Sequence, residues 1–354
     1  MKKRLILALL CVLAVVALPG CIGLDFSPDG KQIVATTTRG LAMMNADGSG
    51  LQLLPDGEKA GIPSWSPDGK HIIFVKHEEQ EGDLMLYDTG THKFRKIGSG
   101  YEPCYGWRED GKRFVAIHKT GKGQEAVWYD LTEDGINMKV SLGDVTAEGL
   151  GIVWLPNTDS IALMAGHKDA ANVYTIESGE LKRITNTNDV MGLNLFANGK
   201  KLIWARKSPN TKYILCTYYA YDLDKRNVAR LPFPERVAGL NAPPKVPPTQ
   251  VNYVAASPAG DRIAIVVEYV VGKKASSGQE IKYNACWVSK LDGSGARQIY
   301  RTPAEENGGG IGFPVWSKDG SQLAVLEVEE KKLKIATFLP DGAGGRRILD
   351  QNAQ

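Results

Sequence analysis

One short segment, Trp65-Ser66-Pro67-Asp68-Gly69-Lys70, recurs in worn copies along the whole chain. The others begin at Phe26, Trp107, Trp154, Phe196, Ala256 and Trp316, which makes seven. The starting positions step by 39, 42, 47 and 42 residues, then twice by 60. A fixed period of roughly 40–50 residues marks units that cannot bury their apolar faces alone and must stack on neighbours. It is also the range of a propeller blade, a small sheet arranged radially so that its edges are protected.

Each copy unrolls into the same four short strands. In the second copy, 61–65 reads as a first strand. Ser66-Pro67-Asp68-Gly69 is a tight turn, in which proline presets φ and glycine supplies the positive φ. His71-Ile72-Ile73-Phe74-Val75 is a β-branched apolar run and reads as the second strand. A third strand is predicted over 83–88, and a fourth, alternating and half-exposed, over 93–97. The same script fits 31–37, 41–45 and 51–54 in the first copy, and 112–118, 126–131 and 138–142 in the third. The expectation is an all-β chain forming a seven-bladed β-propeller of four-stranded antiparallel blades. A six-bladed ring, an open β-solenoid and a two-sheet sandwich are the alternatives.

Residues 1–20 read as a lipoprotein signal peptide, and 21–354 as a single propeller domain. Lys2, Lys3 and Arg4 precede an apolar run from Leu5 to Leu18 that is short for a membrane span. The run ends in Leu18-Pro19-Gly20-Cys21, which resembles a bacterial lipobox with Cys21 as the lipidated residue. The expected address is outside the cytoplasm, as a membrane-anchored lipoprotein on the periplasmic or cell-surface side. The net charge of +3 equals the three charges of that leader, so the remaining 40 basic and 40 acidic residues balance. A balanced chain carries no electrostatic signature for nucleic acid. Cys104, Cys216 and Cys286 are widely spaced, show neither a disulfide framework nor zinc spacing, and read as buried thiols. No cofactor is predicted.

The Trp-Ser-Pro-Asp-Gly-Lys repeat, with Asp47-Gly48-Ser49-Gly50 before a fourth strand, resembles the β-propeller of TolB and its relatives. The resemblance covers 22–354 and is best in the copies at Phe26, Trp65 and Trp316. It implies a periplasmic or surface propeller that binds protein partners. The α/β domain that precedes the propeller in TolB finds no counterpart in this sequence, which points to a lipid-anchored TolB-like protein.

In such a blade the Ser-Pro-Asp-Gly turns share one face, and the second-to-third hairpins and blade connections share the other. The long insertions fall on that second face. They are 231–250, rich in proline, 301–312 with its glycine run, and the extended hairpins around 207–212 and 272–280. Long loops in compact domains carry function disproportionately. Tyr101, Arg236, Arg301, Glu305 and Phe313 are the candidate partner-binding residues by loop position. His77, His118 and His167 occupy matching places past three second strands, as loop histidines. Equivalent positions in adjacent blades lie about 10 Å apart, given strands spaced by roughly 4.8 Å, whereas zinc needs nitrogens at about 2.0–2.1 Å. No metal site is therefore predicted. Glu102, Glu148 and Asp189 could line the mouth of the ring, but nothing pairs them as acid and base. No Gly-x-Ser-x-Gly, His-Glu-x-x-His or phosphate loop occurs, so no catalytic residue is named. The reading is a non-catalytic binding or scaffold module with an envelope protein as partner. A propeller hydrolase or lyase acting on envelope glycans or peptides is the alternative. Because so few residues separate Cys21 from Asp25, a lipid there would hold the insertion face towards the bilayer.

Overall fold

The computed structural model describes residues 23–351 except 38, 78–81, 168–169, 197–198, 208–215, 232–249, 291–292, 305–309, 313, 330–331 and 342–344. The protein is a seven-bladed β-propeller. Blades 1 to 7 span 24–53, 64–99, 101–141, 146–183, 190–230, 250–301 and 310–351. In every blade the strands are hydrogen-bonded in chain order and run antiparallel. Blade 7 splits its first strand into Gly310–Ile311 and Val315–Trp316, and both pieces pair with Leu323–Glu329. The first strand of blade 2 is shorter than expected, reduced to Ser64–Trp65. Pro63 lacks the N–H that would continue the ladder. The chain instead rejoins the second strand through Gly61, whose N–H donates to the Val75 carbonyl at 2.7 Å.

The continuously apolar second strands are explained by where alternate residues point. Ile72 and Phe74 pack towards blade 1, with Val34, Leu41 and Met43. Ile73 and Val75 pack towards blade 3, with Tyr105, Phe114 and Ala116. Successive side chains of a strand face opposite ways, so a sheet covered on both faces needs both sets apolar. All four are fully buried, each worth roughly 1.5–3 kcal/mol of transfer free energy. Similar clusters fill the seams between blades 3 and 4, 4 and 5, and 6 and 7.

The repeated turn is a hydrogen-bonded device. In blade 2 the Ser66 hydroxyl donates to Asp68 Oδ1 at 2.6 Å and accepts from the His71 N–H at 2.9 Å. Blades 1 and 7 repeat this with Ser27 and Asp29, and with Ser317 and Asp319. The donated hydroxyls hold the Asp29 and Asp319 carboxyls below the usual range. Blade 6 has Ala259 in place of the aspartate, and Asp261 supplies the acceptor to Ser257 at 2.8 Å instead. Several turns also lean on the one before them, as Gly69 on Pro28, Gly111 on Asp68 and Gly320 on Pro258. Gly199 has φ +81°, and a Cβ there would lie 2.6 Å from Cγ of Pro156 in the preceding turn. The glycine is thus required twice, by its backbone and by the docked proline.

The indoles tie blades together. Trp107 Nε1 donates to the Ser64 carbonyl at 3.3 Å, and Trp316 Nε1 to the Ala255 carbonyl at 3.1 Å, each in the preceding first strand. Among the described residues no strand is exchanged between blades 7 and 1, and each of these blades takes its strands from one end of the chain. The ring closes there through side chains. Leu24, Phe26, Ile33, Ala35 and Met44 pack on Ala324, Leu326 and Ile335. Gln322 Nε2 donates to the Gly30 carbonyl at 3.0 Å, and Thr337 Oγ1 to the Ala46 carbonyl at 3.4 Å. Asp25 Oδ2 accepts the Trp65 N–H at 2.9 Å, while Lys318 Nζ lies 3.9 Å from Oδ1. One carboxylate therefore touches blades 1, 2 and 7. Burial is the largest influence on it and pushes its pKa up, against the pull of Lys318.

Candidate interaction face

The two faces of the ring differ in what their side chains are doing. On the turn face, serine, aspartate, proline and glycine are engaged in turn geometry and in docking turn on turn. Arg108 and Arg113 of blade 3 reach Asp159 of blade 4 at 3.3 and 3.1 Å, and Glu109 accepts the Asn157 N–H. At the seam between blades 7 and 1 this face has a solvent-open groove of about 670 Å³, rimmed by Asp29, Lys31, Asn45, Asp47, Gln322 and Leu339.

On the opposite face, blade 6 carries the longest hairpin among the described residues, while the extended blade 5 hairpin expected around 207–212 falls, from 208 on, outside them. The second and third strands of blade 6, Arg262–Lys273 and Glu280–Lys290, have 12 and 11 residues. The corresponding strands elsewhere have six to eight. The hairpin is closed by Lys274 N–H to the Gln279 carbonyl at 2.8 Å, and Gly278 takes φ +69° in the turn. Its root is firmly packed. Tyr269 and Tyr283 stack at 4.8 Å between centroids, both buried, and the Arg301 guanidinium lies 5.0 Å from the Tyr283 ring. A cation over a ring face is attracted by the ring quadrupole. Lys282 bridges Glu268 and Glu280, each at 3.4 Å, and so fastens one strand of the arm to the other. Beyond this root Val271, Lys273, Lys274 and the small residues 275–278 are exposed.

Of the sequence-predicted contacts, Arg301 is exposed at this root, while Arg236, Glu305 and Phe313 lie outside the described residues. Tyr101 departs from the expectation of a surface contact. It starts the first strand of blade 3, is 8% exposed, and packs on His118 at 4.9 Å between ring centroids. Its neighbours there include Ile73, Val75 and Leu84 of blade 2. A large ring at the end of a first strand completes the seam rather than facing solvent. His77 and His118 likewise are half-buried members of strands rather than loop residues, and burial lowers the pKa of His77. His167 ends a strand of blade 4, and its side chain lies outside the described residues.

Among the described residues no group of three or more His, Cys, Asp or Glu converges as a metal set would. The mouth carboxylates are committed to cations. Glu102 pairs with Lys119. Asp189 binds Nε of Arg206 at 2.8 Å, and that guanidinium lies 5.3 Å from the Tyr219 ring. The Glu148 side chain lies outside the described residues. Cys104 and Cys286 are buried free thiols whose pKa burial raises, Cys104 to about 12, which suppresses the reactive thiolate.

Sequence reasoning missed one group altogether. Glu327, 1% exposed, accepts the Tyr300 hydroxyl from blade 6 and pairs with Lys334 at 3.4 Å. The only hint was a glutamate in an apolar second strand directly opposite a lysine in the third.

No family model matches the sequence. A stretch of 107 residues is 30% identical to dipeptidyl-peptidase 5 of Porphyromonas endodontalis, covering 26% of this chain and only 15% of that protein. The β-propeller domain of the trilobed protease from Pyrococcus furiosus, described as having open Velcro topology, aligns with a TM-score of 0.62. That alignment covers 94% of this chain and 95% of the other at 13% identity. The structural neighbours include TolB. TolB from Acinetobacter baumannii aligns over 97% of this chain and 67% of its own, with a TM-score of 0.50 and 16% identity. The oligogalacturonate lyase of Vibrio parahaemolyticus aligns over 87% and 85%, with a TM-score of 0.58 and 10% identity. At such identities these likenesses establish the fold, which binding proteins, peptidases and lyases share.

Proposed function

We propose that this protein is a lipid-anchored binding or scaffold module of the bacterial envelope, held to the membrane through Cys21, and that its insertion face engages an envelope protein. The observation that carries the reading is the asymmetry of the faces. The turn face uses its polar side chains to lock the ring. The insertion face offers a packed root with an exposed arginine held over a tyrosine, beside a hairpin longer than the others among the described residues. Arginine and aromatic anchors on a rigid support are what concentrate binding energy at protein interfaces. The commitment of Glu102 and Asp189 to ion pairs supports binding over general acid–base chemistry.

A photocrosslinker placed at Arg301, with a control at Glu133 on the turn face, tests the reading in cells. A discrete membrane-fraction adduct from position 301, absent from position 133, is expected, and Cys21→Ser should move the protein to the soluble fraction. Turnover of glycan or peptide substrates that is lost on replacing Glu102 or Asp189 would instead establish the hydrolase or lyase.

A further inference from the structure

The anchor and the arm together fix what must meet the membrane. Gly23 is pinned in blade 1, where its carbonyl accepts the Thr36 N–H at 2.9 Å. Cys21 lies two residues before it, so its backbone reaches at most about 7 Å from that point. The first strand, Leu24–Phe26, then runs away towards the Ser27 turn, which places Gly23 at the insertion-face end. The repeat puts Thr36 of blade 1 level with Val266 of blade 6, since Phe26 and Ala256 begin the equivalent turns and pair with Ile33 and Ile263. From Val266 the second strand of blade 6 continues seven residues to Lys273. At about 3.3 Å per residue this is up to about 23 Å of rigid hairpin beyond the level of Gly23. The arm is therefore roughly three times as long as the tether, and the cysteine side chain with its glyceryl unit adds only a few ångströms.

Resting on the reading of Cys21 as lipidated, we propose that the blade 6 hairpin tip, Lys273 to Gln279, is a second membrane contact, seated in the headgroup layer of an anionic bilayer. Its chemistry suits that place. Lys273 and Lys274 are exposed at the tip, the residues between them and Gln279 are uncharged, and Glu280, opposite Lys273, is shared with Lys282 at 3.4 Å. Basic side chains beside a membrane are drawn to anionic lipid. Two fixed points, one covalent and one electrostatic, would set the tilt of the ring and present the root around Arg301 to partners at the membrane surface.

The test uses the full-length lipidated protein in vesicles of phosphatidylcholine and phosphatidylglycerol, part of it brominated in the acyl chains near the headgroup. A fluorophore is attached at Ser277→Cys or, on the turn face, at Glu133→Cys, in a Cys216→Ser background. Several-fold stronger quenching at position 277 than at 133, reduced by Lys273→Glu with Lys274→Glu, is expected. Acylation of Cys21 is read separately by mass spectrometry. An acylated protein in which position 277 is no more quenched than 133, or in which 133 is the quenched site, overturns the arm contact while leaving the anchor intact. An unmodified Cys21 removes the anchor, and the arm proposal falls with it.

Discussion

Replacing Phe26 by alanine probes the least protected joint in the ring. Phe26 is fully buried in the seam between blades 7 and 1, where no strand crosses. Removing a buried phenylalanine costs about 3–5 kcal/mol, from lost transfer energy and the cavity left behind. The two hydrogen bonds across that seam, Gln322 to Gly30 and Thr337 to Ala46, are worth about 0.5–1.5 kcal/mol each, beside the Lys318–Asp25 ion pair at 3.9 Å. The loss is thus larger than both hydrogen bonds combined and falls on the seam's apolar contacts. Phe114→Ala is the matched control: it is 1% exposed and sits between blades 2 and 3, which are consecutive in the chain. Both variants should lose similar global stability in urea. Under native conditions, however, only Phe26→Ala should accelerate amide exchange in 32–45 and 323–338, by letting the two end blades part without global unfolding. Equal acceleration in those strands for both variants, or none in either, would refute the idea that apolar packing is the main closure of the ring.

Gly199→Ala should destabilise by well over the ~1 kcal/mol that positive φ alone costs a non-glycine residue, because the Pro156 ring occupies the Cβ position. Gly143→Ala, at φ +62° with open space around it, should show the backbone cost alone, and urea midpoints compare the two. Two sets of carboxylates should titrate with opposite signs. Asp29 and Asp319 have lowered values, so their contribution is complete above about pH 4 and lost as pH falls through the folded value. Asp319→Asn should therefore flatten the acid limb of stability. Asp25 has a raised value, so its penalty is absent below about pH 4 and grows as pH rises through the folded value. Asp25→Asn, which keeps an acceptor for Trp65, should gain on the wild type between acid and neutral pH; a loss over that interval would contradict the assignment. Glu327→Ala removes the buried carboxylate that accepts from Tyr300 and faces Lys334 and should cost about 3–5 kcal/mol, with Glu327→Gln costing less; a value near zero would show that the pair is solvated.

Much of the fold was legible because its signals are local. Ser66, Pro67, Asp68 and Gly69 write a turn by φ preference and short-range hydrogen bonds, and Ile72 to Val75 write a strand buried on both faces. Even the altered turn of blade 6 was readable as a turn, although the move of its acceptor to Asp261 was not. The candidate site was far less legible. Tyr101 and Arg301 look alike as loop-end residues in a sequence. One fills a seam and the other lies over a tyrosine in the open, and only the neighbouring blade distinguishes them.

From sequence alone came the number of blades, their internal order and the face to which each loop belongs, since a repeated unit fixes its own hairpins whatever surrounds it. The tertiary structure decided the rest. It settled that the ends meet without exchanging a strand, that Asp25 joins three blades, and that Glu327 is buried against Tyr300 and Lys334. Apart from the Glu327–Lys334 pair, which one hairpin brings together, these depend on contacts between residues tens to hundreds of positions apart, which exist only once the ring has closed.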